Sequence, residues 1–128
     1  MNLLLDTHIL LWAASEPERL SQDARDLIQD PVHRVYFSAA SIWEVVIKNG
    51  LGREDFHLDP HLLRRGLIEN DYSELPVTSA HTLALAHLPP IHRDPFDRIL
   101  IAQAEVEGFL LLTMDATILQ YQGPIRSA

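Results

Sequence analysis

Two unbroken apolar runs dominate the hydrophobic pattern of the chain, one over residues 3–5 and the other over residues 109–112. Apolar runs without polar alternation are typical of strands that are buried on both faces, as in the middle of a parallel sheet. We therefore predict that these two segments are central strands and that they lie next to each other.

Helical spacing and chain-breaking residues predict the elements between the two runs. Asp6-Thr7 ends the first run and starts a helix, because both residue types are favoured at helix N-termini and the apolar spacing becomes helical. In chain order, the pattern then predicts a helix over 21–29, a strand over 35–37, and a helix that is led in by Ser38 to Ser41 and closes at Gly50 and Gly52. It next predicts an irregular segment over 53–59, a helix from Pro60, a strand over 74–77, and a helix from Thr78-Ser79 to about His87. The last part of the pattern predicts a stiff connector over 89–93, a helix from Asp94-Pro95 to Gly108, a short helix after Asp115, and an edge strand over 124–126. Pro76 favours a sheet edge for the strand that contains it, since proline cannot donate to the ladder.

Strands that alternate with helices along the whole chain indicate an α/β fold with a parallel sheet and helices on both faces. Right-handed crossovers restrict the topology further. With 128 residues and no linker, repeat or low-complexity tract, we expect residues 1–128 to form one domain.

Composition narrows the class of protein. The chain has no cysteine, which excludes disulfides and thiolate metal sites and fits a reducing cytoplasm. No apolar run approaches the roughly 20 residues that span a bilayer, and we expect neither a leader peptide nor a membrane anchor. The net charge of −8 counts against a passive nucleic-acid binder, which usually has a basic face, and favours a basic protein partner.

Four acidic residues occupy corresponding positions around the predicted sheet. Asp6 and Asp115 follow the two central strands, Glu44 lies one turn into the helix after the second strand, and Asp97 lies in the first turn of a later helix. Since the carboxyl ends of parallel strands share one edge, where ligands bind in open α/β sheets, we expect the four to converge there.

A purely structural reading of the same acids exists. Acidic residues in first helical turns complement the helix dipole by about 0.3–1 kcal/mol each. Ser41-x-x-Glu44 has the form of a capping box, Asp94 is assigned to an N-cap, and Asp115 could be a simple cap.

Magnitudes favour a functional reading if the acids cluster. Two carboxylates about 4 Å apart repel by roughly 4 kcal/mol at an effective dielectric of 20, and several such pairs would rival the ~5–15 kcal/mol that stabilises a domain. A bound cation makes such crowding tolerable. Carboxylate ligands select hard ions such as Mg²⁺ or Mn²⁺, which commonly act on phosphates, so a metal-dependent nuclease uses every one of the four acids.

The motifs around these acids resemble the PIN-domain family, with VapC-type toxins as the nearest match. The matching segments are Leu5-Asp6-Thr7-His8, Ser41-Ile42-Trp43-Glu44, the Asp94-Pro95-Phe96-Asp97-Arg98 run with its continuation to Ala104, and Thr113-Met114-Asp115. The likeness covers essentially the whole chain, and the Asp-Pro-Phe-Asp-Arg run is its most specific piece.

This resemblance implies a three-layer α/β/α sandwich with a mostly parallel central sheet. It also implies Mg²⁺- or Mn²⁺-dependent endoribonuclease activity on RNA, a homodimer, and inhibition by a cognate antitoxin protein. By motif position, Asp6, Glu44, Asp97 and Asp115 match the acidic metal site, and Thr113 matches a hydroxyl position beside it. Two other functions stay open: a 5′-nuclease-like or phosphohydrolase activity on the same acids, and a non-catalytic scaffold that binds RNA or protein.

The remaining polar and aromatic residues carry weaker signals. Lys48, four residues after Glu44, suits a helix ion pair and could contact phosphate; Arg98 could also contact the substrate backbone. We set aside His8 as a general base, the His57–His61 pair as a zinc site, and His81, His87 and His92, which share no ligand spacing. Trp12 and Trp43 are read as core or dimer-contact residues.

Overall fold

The computed structural model describes residues 1–51 and 58–128. Its strands are β1 (Asn2–Leu5), β2 (Arg34–Ser38), β3 (Ser73–Leu75), β4 (Leu110–Thr113) and β5 (Ile125–Ser127). Its α-helices are α1 (Thr7–Ser15), α2 (Gln22–Gln29), α3 (Ala39–Gly50), α4 (Pro60–Glu69), α5 (Ser79–Ala84) and α6 (Pro95–Glu107). Three short 3₁₀ turns cover Pro17–Arg19, Leu85–His87 and Ile118–Gln120.

The five strands form a wholly parallel sheet in the order β3-β2-β1-β4-β5. Leu3, Leu4 and Leu5 of β1 pair with Leu110, Leu111 and Leu112 of β4. The prediction that the two apolar runs are central neighbours is therefore confirmed, and β3 and β5 lie at the edges as expected.

Helices cover both faces of the sheet, which confirms the predicted α/β/α layering. Leu3 and Leu5 point into one core with residues of α1, α3 and α4, whereas Leu4 points into a second core with α6. Successive strand residues face opposite sides, so a run of three leucines serves both layers. All three are fully buried.

Several predicted boundaries shift. The expected strand over 74–77 is Ser73–Leu75, so Pro76 falls just outside the ladder, where its missing N–H costs nothing. The expected short helix after Asp115 is only the 3₁₀ turn Ile118–Gln120. Most of the irregular segment predicted for 53–59 lies outside the described residues, as does Gly52, and α3 ends at Gly50.

The outward face of α3 differs from the prediction. Val45 is fully buried, but Val46 is half-exposed and the Trp43 side chain is 61% exposed. The core role expected for Trp43 is therefore wrong, because the helix turns that position toward solvent, where its ring packs edge-on against Phe96 at 5.0 Å between centroids. Trp12 does pack against the core. Within the described part of the chain, no helix is long and apolar enough to cross a membrane.

Candidate metal centre

Asp6 lies where β1 gives way to α1. Its backbone N–H donates to the Leu112 carbonyl at 3.0 Å, which extends the β1–β4 ladder by one residue. Its carboxylate Oδ1 accepts the Ile9 N–H at 2.9 Å and so caps α1. Asp6 is therefore a helix cap, as the structural reading held, and it is also nearly buried at the carboxyl edge of the sheet.

Glu44 is held in place by groups from two helices. The N-cap of α3 is Ser38, not Ser41, so the capping box suggested by Ser41-x-x-Glu44 is wrong: both residues lie inside the helix, on its inward face. The Thr7 hydroxyl donates to Glu44 Oε1 at 2.7 Å and lies 3.0 Å from the Ser41 hydroxyl. The Lys48 ammonium lies 2.7 Å from Glu44 Oε2. Glu44 is only 5% exposed.

Asp97 enters the site from the first turn of α6. Asp94 is the N-cap of this helix, as predicted, and its Oδ1 accepts the N–H groups of Phe96 and Asp97 at 2.8 and 3.4 Å. Pro95 occupies the first helical position, where its missing N–H is not needed. The start of α6 therefore points to the carboxyl edge of the sheet, which the sequence could only suggest.

Thr113 joins the two acids that follow the central strands. It is the last residue of β4 and is fully buried. Its hydroxyl donates to Asp6 Oδ2 and accepts the backbone N–H of Asp115, the latter at 3.0 Å. Asp115 in turn caps the following turn, since its Oδ1 accepts the Thr117 and Ile118 N–H groups at 2.8 and 2.9 Å. This chain of hydrogen bonds sets the spacing between Asp6 and Asp115.

All four predicted acids line one cavity of about 170 Å³, which we call the acid cavity. Its full lining is Asp6, Thr7, His8, Glu44, Lys48, His92, Asp94, Asp97 and Asp115. Thr113 lies behind Asp6 and Asp115 and does not line the cavity. The convergence that the strand positions predicted is thus present.

His92 is the residue that sequence reasoning missed. Its Nε2 lies 2.8 Å from Asp97 Oδ2 and 3.5 Å from Asp115 Oδ1, although its spacing in sequence had given no ligand pattern. Nδ1 accepts the backbone N–H of Asp94 at 3.2 Å, so in the neutral ring the proton is on Nε2. The only available signal was its position two residues before the N-cap of the helix that carries Asp97.

Arg98 points away from the acid cavity. Its guanidinium donates to the carbonyls of Leu85, Leu88, Pro89 and His92 and to the Tyr121 hydroxyl. These bonds fix the connector before α6, and the Tyr121 hydroxyl also accepts the His92 N–H at 2.7 Å. Arg98 thereby holds the backbone of His92 in position. His8 is exposed at the cavity rim, and His81 lies elsewhere, in the α5–α6 contact. His57, one half of the discounted zinc pair, lies outside the described residues.

Burial and crowding shift the protonation of two acids. The pKa of Asp97 is raised to about 7, chiefly by burial and further by the negative charges of Asp94, Glu44 and Asp115, while His92 acts in the opposite direction. Burial also raises the pKa of Asp6, against the hydrogen bonds from Thr113 and Ile9. The basic groups of the protein therefore do not fully neutralise the negative charge of the carboxylates in the acid cavity.

The donor set fits a divalent cation. Carboxylate oxygens of Asp97 and Asp115 lie within 4.8 Å of each other and of a His92 ring nitrogen, and the carboxylate of Asp6 lines the same cavity. The buried His92 Nε2 makes no well-directed hydrogen bond to any described group, despite two carboxylates nearby. Predominantly carboxylate oxygen ligands match the preference of Mg²⁺ and Mn²⁺.

Comparison with known proteins identifies the family and the fold. The family model described as the PIN domain matches residues 3–123. The VapBC2 complex of Rickettsia felis, bound to a DNA fragment from its promoter, contains a chain with TM-score 0.73 and 12% identity, and the match covers 99% of this chain and 98% of that one.

Two further solved structures show the same fold. DNA-bound VapBC from Salmonella typhimurium matches with TM-score 0.67 and 12% identity over 100% of this chain and 97% of that one. VapBC-5 from Mycobacterium tuberculosis, described as a toxin–antitoxin system, matches with TM-score 0.59 and 19% identity over 98% and 96%. No curated protein sequence matches the chain.

Proposed function

This chain belongs to the PIN-domain family, and from that premise we propose that it is a divalent-metal-dependent endoribonuclease and the toxin of a toxin–antitoxin pair. The observation that carries the proposal is the acid cavity itself, where Asp6, Glu44, Asp97 and Asp115 meet and the pKa of Asp97 rises to about 7. A structural set of helix caps has no reason to crowd in this way.

The chemistry divides between a bound ion and the side chains that surround it. Asp6, Asp97 and Asp115 would hold Mg²⁺ or Mn²⁺, and Glu44 completes the acid set of the cavity. A divalent ion at such a site lowers the pKa of a water molecule and stabilises the leaving oxygen of a phosphodiester.

The protein contributes orientation. Thr113 and the Ile9 N–H direct the Asp6 carboxylate, Asp94 directs the start of α6, and the carbonyl contacts of Arg98 fix the connector that carries His92. Because these partners are backbone or buried groups, the carboxylates are preorganised before substrate arrives.

We expect two protein partners. Solved relatives of this fold are VapBC complexes, which supports a cognate antitoxin for this chain. A basic antitoxin segment led by an arginine would inhibit by placing its guanidinium among the acids, as an ion would. Trp43, which is exposed on α3 and packs against the partly buried Phe96 of α6, offers apolar area for a homodimer. The absence of cysteine suits a cytoplasmic protein.

Growth and cleavage assays test the function. Expression should arrest growth, and Asp6→Asn or Asp97→Asn should relieve the arrest. Asp71→Asn is the matched control, because it removes the same charge outside the site at a left-handed residue (φ 67°), a conformation that asparagine also tolerates. The purified protein should cleave single-stranded RNA only with Mg²⁺ or Mn²⁺.

Other outcomes would assign the protein differently. Hydrolysis of single-stranded or flap DNA but not RNA would indicate the 5′-nuclease-like alternative. RNA or protein binding that survives both substitutions, without metal-dependent turnover, would indicate a scaffold. Undiminished toxicity of both variants would contradict the toxin proposal.

A further inference from the structure

The Glu44 side of the acid cavity already contains a cation. Glu44 Oε2 lies 2.7 Å from the Lys48 ammonium, and the two side chains are 6% and 33% exposed. Their spacing of one helical turn on α3 places both on the inward face, next to Ser41. A short, half-buried ion pair in this position is stronger than an exposed helix pair, because solvent screens it less.

The opposite side of the cavity has a different character. Among the described residues, His92 is the one basic side chain within 4 Å of the Asp97 and Asp115 carboxylates, and its Nε2 makes no directed hydrogen bond. Carboxylate oxygens of Asp97 and Asp115 lie within 4.8 Å of each other and of a His92 ring nitrogen, and neither Glu44 nor Asp6 is part of that group. The cavity is therefore asymmetric, with a built-in cation at Glu44 and unneutralised carboxylates at Asp97 and Asp115.

Resting on the proposed function, we infer that the site takes a single divalent ion on the Asp97–Asp115 side, and that the Lys48 ammonium replaces the second ion of a two-metal nuclease. Two-metal sites hold their ions roughly 3.5–4 Å apart. An ion bonded to Glu44 at about 2.1 Å would lie within roughly 5 Å of the Lys48 nitrogen and be repelled by it.

The choice of residue is consistent with this role. The ten basic residues of the chain comprise nine arginines and one lysine, and Lys48 is that lysine. An ammonium is a compact point charge with three donors, closer to a metal ion than the planar guanidinium is. After one donor is used on Glu44, the others are available to a phosphate oxygen.

Lys48 also lies between two adjoining spaces. It lines the acid cavity and a neighbouring cleft of about 390 Å³, together with Glu44 and Asp94. Arg93 lines the same cleft. The Lys48 and Arg93 cations therefore lie on the side of the acid cavity that opens to the cleft. The phosphodiester backbone of a substrate bound in the acid cavity would continue into this cleft.

Counting bound Mn²⁺ tests the inference without relying on activity. Loss of the electron paramagnetic resonance signal of free Mn²⁺ on titration reports the number of ions per chain, and calorimetry reports their affinities. The full-length protein should bind one ion tightly, and Glu44→Gln should still bind one. Asp97→Asn should lose it.

Lys48 variants should change the count. Lys48→Met keeps the unbranched side chain, one atom shorter, but removes its charge, so a second ion should bind, at least about tenfold tighter than any second ion in the wild type. Lys48→Arg should restore a count of one. The double variant Glu44→Gln/Lys48→Met should also bind one, because the second ion needs Glu44. Melting curves of each variant check that it is folded.

The failures are distinguishable. Two tight ions in the wild type, one of them lost in Glu44→Gln, would overturn this inference and leave the metal-dependent nuclease intact. No ion in the wild type and no metal-dependent cleavage would overturn both. The wild-type and Glu44→Gln counts test the single ion even if Lys48→Met fails to fold, and a folded Lys48→Met protein that still binds only one ion would overturn the role of Lys48.

Discussion

Two histidines in this molecule, His81 and His92, have nearly the same contacts at their ring nitrogens but lie in different surroundings. In the α5–α6 contact, His81 accepts the Thr78 N–H at Nδ1 (3.0 Å) and lies 2.8 Å from Glu107 Oε2 at Nε2. In the acid cavity, His92 accepts the Asp94 N–H at Nδ1 (3.2 Å) and lies 2.8 Å from Asp97 Oδ2.

The difference is in the surroundings. His81 is fully buried with both ring nitrogens hydrogen-bonded, and its one acidic partner, Glu107, keeps about a third of its side chain in solvent. His92 meets two carboxylates in a cavity lined by further acids, and its Nε2 makes no directed bond to a described group. A histidine–carboxylate pair is thus structural where both ring nitrogens are hydrogen-bonded to their partners. It indicates a ligand site where the carboxylates around the histidine carry negative charge that the histidine does not neutralise.

The largest expected effect comes from removing the charge of the acid that faces each histidine. If the proposed function holds, Asp97→Asn should lower kcat/KM for RNA cleavage by about 10³-fold or more, since it removes a proposed metal ligand, and such a loss equals about 4 kcal/mol of transition-state stabilisation. Glu107→Gln makes the same change at His81 and should leave cleavage within about twofold, a difference below about 0.5 kcal/mol. Equal losses in steady-state assays would contradict the distinction between the two pairs.

Replacing each histidine and measuring protein stability tests the same comparison. His81→Ala should lower the free energy of unfolding by about 2–4 kcal/mol, because it opens a cavity and leaves the Thr78 N–H and Glu107 without their partner. His92→Ala should cost about 1 kcal/mol or less, since it removes a contact that is incomplete. Urea titrations of the metal-free proteins provide both values. A larger loss for His92→Ala would reverse the assignment.

A measurement of stability against pH sharpens the comparison further. The pKa of Asp97 rises from 3.8 to about 7 on folding, so between these values the folded state binds more protons than the unfolded state. The free energy of unfolding of the metal-free protein should therefore decrease as pH rises from about 4 and level off above about 7. Mn²⁺ should offset this loss at pH 8 by mass action, and its binding at neutral pH should release protons.

The matched variant isolates this contribution. Asp97→Asn should flatten the decrease, whereas Glu107→Gln should leave it in place, as measured by thermal melts across the pH range. An identical pH dependence in wild type and Asp97→Asn would show that another group causes the loss.

Much of the site followed from the pattern of the chain. Asp6 and Asp115 had to share an edge once the two apolar runs were recognised as parallel neighbours, because parallel strands end on the same side. Asp94 was recognisable as a cap from Pro95 behind it. The N-cap of α3 could not be recognised in the same way, since Ser38 and Ser41 are equally good caps in sequence. Only the packing of Ser41 against Thr7 selects between them.

The sequence by itself determined the parallel α/β architecture, the central strand pair and the carboxyl edge where acids could gather, because apolar periodicity and the alternation of strands with helices can be read directly along the chain. The i,i+4 spacing predicted the Glu44–Lys48 pair, and only the tertiary structure decided that this pair lines the acid cavity, that His92 faces Asp97 and that Trp43 faces solvent. Those outcomes depend on the path of a connector and the rotation of two helices, which packing between distant segments sets.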